Sequence, residues 1–228
     1  MKKMIFIGMM LCMSFYSCNT AKVLLGEPSE AEVLQALTKV LDSSALKALV
    51  TLNKLNKQGA EGLLPEELQP VLATLKTLGL GDDVTKVENT ITDVVSTVAA
   101  ESGGILTDAV KEVNFGDAVS IVLGGEDAAT QVLREAMYTT VKKRYSQKIE
   151  AELLNQEPEI MQYWGMATGA YNLFAKNKVD ANLSDFLAEK AVDAVFLSMG
   201  AEEKKIRDNP ASLGDAVVKK VFDFYQNR

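Results

Sequence analysis

Six apolar residues spaced four apart, Leu133, Met137, Val141, Tyr145, Ile149 and Leu153, constrain the fold of this chain more than any other feature. A half-buried strand repeats every two residues, so the row specifies a helix. With 3.6 residues per turn, a four-residue row drifts by about 40° per step. The stripe therefore winds around its helix, and the predicted helix, from about Glu126 to Asn155, meets different neighbours at its two ends. Such a helix organises a core; it is not one strand of a coiled coil.

The rest of the chain reads as helices of the same kind. Ser29 and Glu32 form an S-x-x-E capping box that opens a helix with apolar positions Leu34, Leu37, Val40, Leu41, Ala45, Ala48 and Leu49. Gly59 and Gly62 end it, and Pro65, Glu66 and Glu67 mark the first turn of another. Beyond Gly79 and Gly81, the residues Val84, Val87, Ile91, Val94, Val95, Val98 and Ala99 predict a third helix, despite β-branched side chains that favour strand. Gly103-Gly104 breaks it, a short piece runs from Ile105 to Val113, and Phe115-Gly116-Asp117 leads into a short helix closed by Gly124-Gly125. After the long helix, Pro158 precedes one containing Trp164. Asn182 and Asp185 open another through Met199, with Gly200 separating it from Ala201–Asp208. Asn209-Pro210 stops that one, and Ser212 with Asp215 caps the last, which ends near Tyr225. No stretch alternates as a strand, and no internal repeat is present. The expectation is an all-α fold, one compact domain of some eight to ten helices over residues 29–228.

Ahead of that domain, Lys2 and Lys3 precede an apolar run from Met4 to Met13, and Phe15-Tyr16-Ser17-Cys18 opens into polar Asn19-Thr20. A run of about a dozen residues is too short to span a bilayer, which takes about 20. It has the parts of a secretory signal. Residues 1–17 are expected to be a lipoprotein signal peptide, with Cys18 carrying the lipid and residues 18–28 a tether. Ser17 and Phe15 suit a lipobox, whereas Tyr16 is bulkier than its position usually holds. The chain has two cysteines, Cys12 and Cys18, so cleavage leaves one thiol, and palmitate-type acylation would consume it. Two or three acyl chains hold a protein firmly to a membrane where one does not. The expected location is the bacterial cell envelope, at the outer membrane and facing the periplasm.

Composition excludes several function classes. Losing residues 1–17 removes Lys2 and Lys3 but no acid, so 22 basic residues face 31 acidic ones and the mature net charge is −9. That balance argues against a nucleic-acid partner and against adsorption of the whole surface to anionic lipid. The chain has no histidine. Ser-His-Asp and Cys-His catalysis and His-ligated zinc are excluded with it. No cofactor, metal or catalytic residue is indicated. Glu202, Glu203 and Asp208, with Asp185 or Asp215, have oxygen ligands for a cation, but Glu203 and Arg207 stand at the i,i+4 spacing of an ordinary helical ion pair. Tyr163, Trp164, Tyr171 and Phe174 are candidates to line an apolar pocket, and aromatics at that spacing equally suit a core. Gly124-Gly125-Glu126-Asp127 superficially matches the GG[DE]EF signature, without its aromatic residue or its α/β context; a helix start explains the acids better.

Two segments carry a resemblance. Asp117-Ala118, Ile121-Val122-Leu123-Gly124 and Ala128-Ala129-Thr130 resemble the D-A-x-x-I-L-x-G-x-x-x-A-A-T block of the DUF4197 family. Glu202-Glu203-Lys204-Lys205-Ile206-Arg207-Asp208-Asn209-Pro210 is similar to that family's E-E-K-x-I-R-x-N-P ending. The likeness extends over about residues 33–222, departing where Gln131-Val132-Leu133 replaces an aromatic after A-A-T. The resemblance implies a bacterial exported helical protein with no assigned activity. It singles out Asp117, Thr130, Glu203, Arg207 and Asn209, for which helix capping and an ion pair are the expected roles. The function expected is a binding or structural module. A helical carrier of a small apolar ligand, held between helices 126–155 and 159–174, is the alternative; a carboxylate- or metal-dependent hydrolase is a third. A protein partner or apolar ligand is left open.

Overall fold

The computed structural model describes residues 26–56, 69, 72, 76, 79 and 81–226. The expected signal peptide, Cys18, most of the expected tether and the helix start expected at Pro65 lie outside them. Among the described residues there are eight α-helices and no strand: α1 (Glu30–Asn56), α2 (Gly81–Glu101), α3 (Gly103–Glu112), α4 (Ala118–Val122), α5 (Ala128–Gln156), α6 (Ile160–Asn172), α7 (Leu183–Asp208) and α8 (Ala216–Gln226), with a 3₁₀ turn, Pro210–Leu213, before the last. No described helix is long and apolar enough to cross a membrane.

Helix α7 lies between α1 and α5, and buries residues all around its circumference, from Leu183 and Phe186 to Met199, Glu203 and Ile206. Its buried positions wind around the helix axis, so its two ends press different sides against their neighbours, while Glu189, Lys190 and Leu197 stay exposed. Helices α2 and α3 pack against both α1 and α5, α8 lies on α1, and α6 meets the start of α7. All six members of the α5 row are buried. The row winds as its spacing requires: Tyr145 and Ile149 share an enclosed space with Val95, Val98 and Ala99 of α2 and Ala191 of α7. The N-terminal end of α5 meets α4 and the last turns of α7 instead.

The capping box at α1 is present, with the Glu32 carboxylate accepting from the Ser29 N–H at 2.8 Å and the Ser29 hydroxyl from the Glu32 N–H at 3.3 Å. Lys220 of α8 bonds the same carboxylate at 2.6 Å. The lysine, with the Ser29 bonds, draws Glu32 down to about 2.

Two sequence expectations change. Gly200 does not divide two helices, because α7 runs unbroken through it. A Cβ at Gly200 would lie 3.2 Å from the Cβ of Asp127, so glycine is there to let the turn before α5 come close. Ser212 does not cap α8 either. It belongs to the 3₁₀ turn, and Asp215 alone accepts from the N–H groups of Val217 and Val218, at 2.9 and 3.1 Å.

Candidate functional site

Helix α4 ends and helix α5 begins within six residues, from Val122 to Ala128. An ended helix leaves carbonyls unpaired and a starting helix leaves N–H groups unpaired. Local side chains do not serve these groups: Asp127, at the N-cap position of α5, makes no capping bond. Side chains from the last two turns of α7 supply partners instead, in addition to the Gly124 N–H that the Ile121 carbonyl accepts at 3.2 Å. Glu203 is 0 % exposed, and its carboxylate accepts from the N–H of Ala129 at 3.0 Å and of Thr130 at 2.7 Å. Arg207, 6 % exposed, donates to the carbonyls of Val122 at 2.8 Å and Ile121 at 3.0 Å. The two side chains then join each other, Nε to Oε1 at 2.8 Å and Nη2 to Oε1 at 2.7 Å.

The electrostatics agree with the hydrogen bonding. The anion sits at the positive start of α5 and the cation at the negative end of α4, each in its favoured place. Charge-assisted bonds supply the compensation that buried charges need. The guanidinium also lies over the Phe222 ring, 5.2 Å from its centroid, and the carbonyl of Arg207 accepts from the Gln226 side chain at 3.0 Å, so α8 closes the assembly. Exposed pairs form its rim: Glu126 with Lys204, and Glu202 with Lys205 at 2.5 Å and Lys47 at 3.4 Å. Hydrogen bonding to Lys205, more than any other cause, lowers Glu202 below the usual glutamate range.

The five residues singled out by the sequence divide accordingly. Asp117 caps α4, accepting from the Ser120 N–H at 3.1 Å and its hydroxyl at 2.6 Å, and these bonds hold its carboxyl below the usual range. Thr130 takes part through its backbone N–H, while its buried hydroxyl has no partner. Asn209 stands outside the cluster: it is the exposed C-cap of α7, its N–H donating to the Lys205 carbonyl at 3.1 Å. Gly124 is needed for space, since a Cβ there would lie 2.8 Å from that of Ala128. The two motif segments, far apart in sequence, are thus the two halves of one joint. Nothing in the residue pattern marks Glu203 as the cap of a helix beginning 75 residues earlier, at Ala128, because capping is ordinarily local.

An open cleft of about 280 Å³ adjoins the joint, lined by residues that include Leu123, Gly125, Arg207, Asp208 and Tyr225. The four aromatics proposed for a pocket lie elsewhere and do not converge. Trp164 is buried with its ring centroid 5.0 Å from that of Phe186, its Nε1 donating to the Asp180 carbonyl at 2.9 Å. Tyr171 is half-buried, Tyr163 reaches the Glu159 carboxylate at 3.3 Å, and Phe174 is 94 % exposed. No group of three or more acidic or cysteine residues among the described ones is arranged to hold a metal. Asp185, weighed as a ligand, accepts from the Ser146 hydroxyl at 2.6 Å.

Residues 27–223 match the family model of DUF4197, a protein of unknown function. No curated protein and no solved structure matches the chain.

Proposed function

The chain belongs to the DUF4197 family, and from that premise we propose that it is a cell-envelope lipoprotein whose helical domain is a binding or structural module, held at the outer membrane by an acyl group on Cys18 and facing the periplasm. The lysine pair, short apolar run and Ser17-Cys18 boundary support the anchor. The observation that carries the module reading is the closed state of the joint. Both Glu203 oxygens and three nitrogens of Arg207 are spent on helix ends and on each other, which makes the pair a fastener with no acid or base left to act on a substrate.

Labelled palmitate is expected in the wild-type protein and absent from Cys18→Ser; equal labelling refutes the anchor. A carrier of a small apolar ligand is the second reading, favoured by the cleft beside Leu123 and Tyr225. The enclosed space beneath Tyr145 holds about 10 Å³, the room of a single water, so an internal ligand has no place there. Native mass spectrometry of the purified protein separates the two: a retained ligand supports the carrier, and the bare chain mass supports the module.

A further inference from the structure

Helix α6 is apolar on two sides. Ile160, Trp164 and Thr168 face the core, as the 3.6-residue period places them. Tyr163, Met166, Ala170, Leu173 and Phe174 fall on a second stripe about 100° wide and pointing away from it. That outer stripe is in solvent, with Met166 57 %, Leu173 77 % and Phe174 94 % exposed. The helix contains no charged residue at all. A surface helix ordinarily turns a polar face outward, so this one is built for a second apolar environment.

The tip of the stripe is held in place. The Asn172 side chain donates to the Val179 carbonyl at 2.7 Å and accepts from its N–H at 2.9 Å, closing the loop 173–178 at its base. The N–H groups of Phe174 and Ala175 both donate to the Tyr171 carbonyl, at 3.2 and 3.0 Å. Trp164 fastens the returning strand of the loop at Asp180. Leu173 and Phe174 are therefore presented outward by a pinned turn, and ordering them on a partner costs little further entropy.

Charge identifies the partner. Many lysines elsewhere are matched with acids: Lys39, Lys86, Lys142 and Lys220 each hold a carboxylate within 2.6 Å. Lys176 and Lys178, two and four residues beyond Phe174, are exposed and form no ion pair with a described residue. Asp180 is the nearest acid along the chain, and one of its oxygens is engaged by the Asn182 N–H at 2.8 Å. An exposed apolar stripe ending in two unmatched cations, on a chain of net charge −7, suits the boundary between acyl chains and anionic headgroups.

We propose that the outer face of α6 and the loop 173–178 insert into the interfacial layer of an anionic lipid surface, with Leu173 and Phe174 among the acyl chains and Lys176 and Lys178 at the phosphates. The proposal rests on the anchor reading in one respect: an acylated Cys18 keeps the face at high effective concentration near the bilayer, so a weak insertion suffices.

The test uses the full acylated chain with Phe174→Trp, reconstituted in vesicles of phosphatidylethanolamine and phosphatidylglycerol with brominated acyl chains. Trp164, the single native tryptophan, is buried and its signal is subtracted from the wild type. Emission from the added indole should shift to the blue and be quenched by the bromine by roughly half or more, and Lys176→Glu with Lys178→Glu should restore the hydrated emission. Emission unchanged by vesicles overturns the proposal. Shielding that instead appears without vesicles and grows with protein concentration also overturns it, assigning the face to a second copy. Palmitate labelling is read on the same samples. Labelled protein with a hydrated indole refutes the insertion and spares the anchor, whereas unlabelled protein with a quenched indole does the reverse.

Discussion

Helices α5 and α7 are joined twice, by opposite means. At one end the Glu203–Arg207 joint is buried, with only the edge of Arg207 reaching a cleft, and each charge is satisfied by the partner and by helix ends. Along their length runs an open ladder: Arg134 and Tyr138 bond Asp193 at 2.9 and 3.1 Å, Lys142 bonds Glu189 at 2.5 Å, and Ser146 bonds Asp185 at 2.6 Å. Each ladder residue of α5 stands one position after a member of its buried apolar row. The ladder pairs are largely exposed, and such pairs contribute about 0–1 kcal/mol each. The difference teaches where the antiparallel register of these helices is enforced. Losing a rung leaves partly exposed charges that water can reach, whereas losing half of the joint leaves a buried charge without its partner.

The largest expected effect therefore falls on the joint. Glu203→Gln or Arg207→Leu should lower the unfolding free energy in urea by about 3–5 kcal/mol. The double change Glu203→Gln with Arg207→Leu should cost clearly less than the two single losses added, because no lone charge is left behind. Additive losses would refute the coupling.

Next comes Tyr145, on the apolar row beside the ladder. Burial pushes its phenol up to about 12, the adjacent Ser102 hydroxyl offsetting only part of the effect. A folded-state value above the ordinary 10 means that the neutral form is favoured inside. Its stabilisation is intact below pH 10 and is lost as the pH rises through 12. The loss amounts to about 2–3 kcal/mol at the upper end. When absorbance at long ultraviolet wavelength is followed, a late tyrosine ionisation step should appear and be removed by Tyr145→Phe; its persistence in that variant would break the assignment.

Gly200→Ala probes the close approach that lets the turn reach the joint. Alanine favours a helix by about 1 kcal/mol, yet the new Cβ would press on that of Asp127 at 3.2 Å. Overpacking of about 1–3 kcal/mol outweighs the gain, leaving a net loss of about 1 kcal/mol in thermal or urea unfolding. A stabilised variant would show that the turn moves freely. The smallest effect belongs to the ladder, where Glu189→Gln should cost less than about 1 kcal/mol and still less at high salt.

The helices were largely legible in the sequence because their apolar spacing is local and strong. The joint was legible only as two unconnected segments. Asp117 was readable as a helix cap because it sits next to the helix it serves. Asp127 was equally well placed for α5 and does not fill the role, since Glu203 supplies both bonds from another helix. Gly200 misleads for the same reason: its meaning lies in Asp127, which only the fold brings near. Asp185 and Glu189 look like free acids until the partners on α5 are known. Phe174 and Leu173 resemble core residues by composition, and only their position beyond the last turn of α6 turns them outward.

The sequence separations within the joint also govern when the domain can exist. Ala129 and Glu203 are 74 residues apart, Ile121 and Arg207 are 86 apart, and Glu32 waits 188 residues for Lys220. Contacts this distant make closure a late event in folding. A nascent chain that stops short of residue 203 has the long helix without its cap and the short helix without its clasp. Helix α7 and the residues after it act as the molecule's latch, because the groups that fasten α4 to α5 are among the last in the chain to be made.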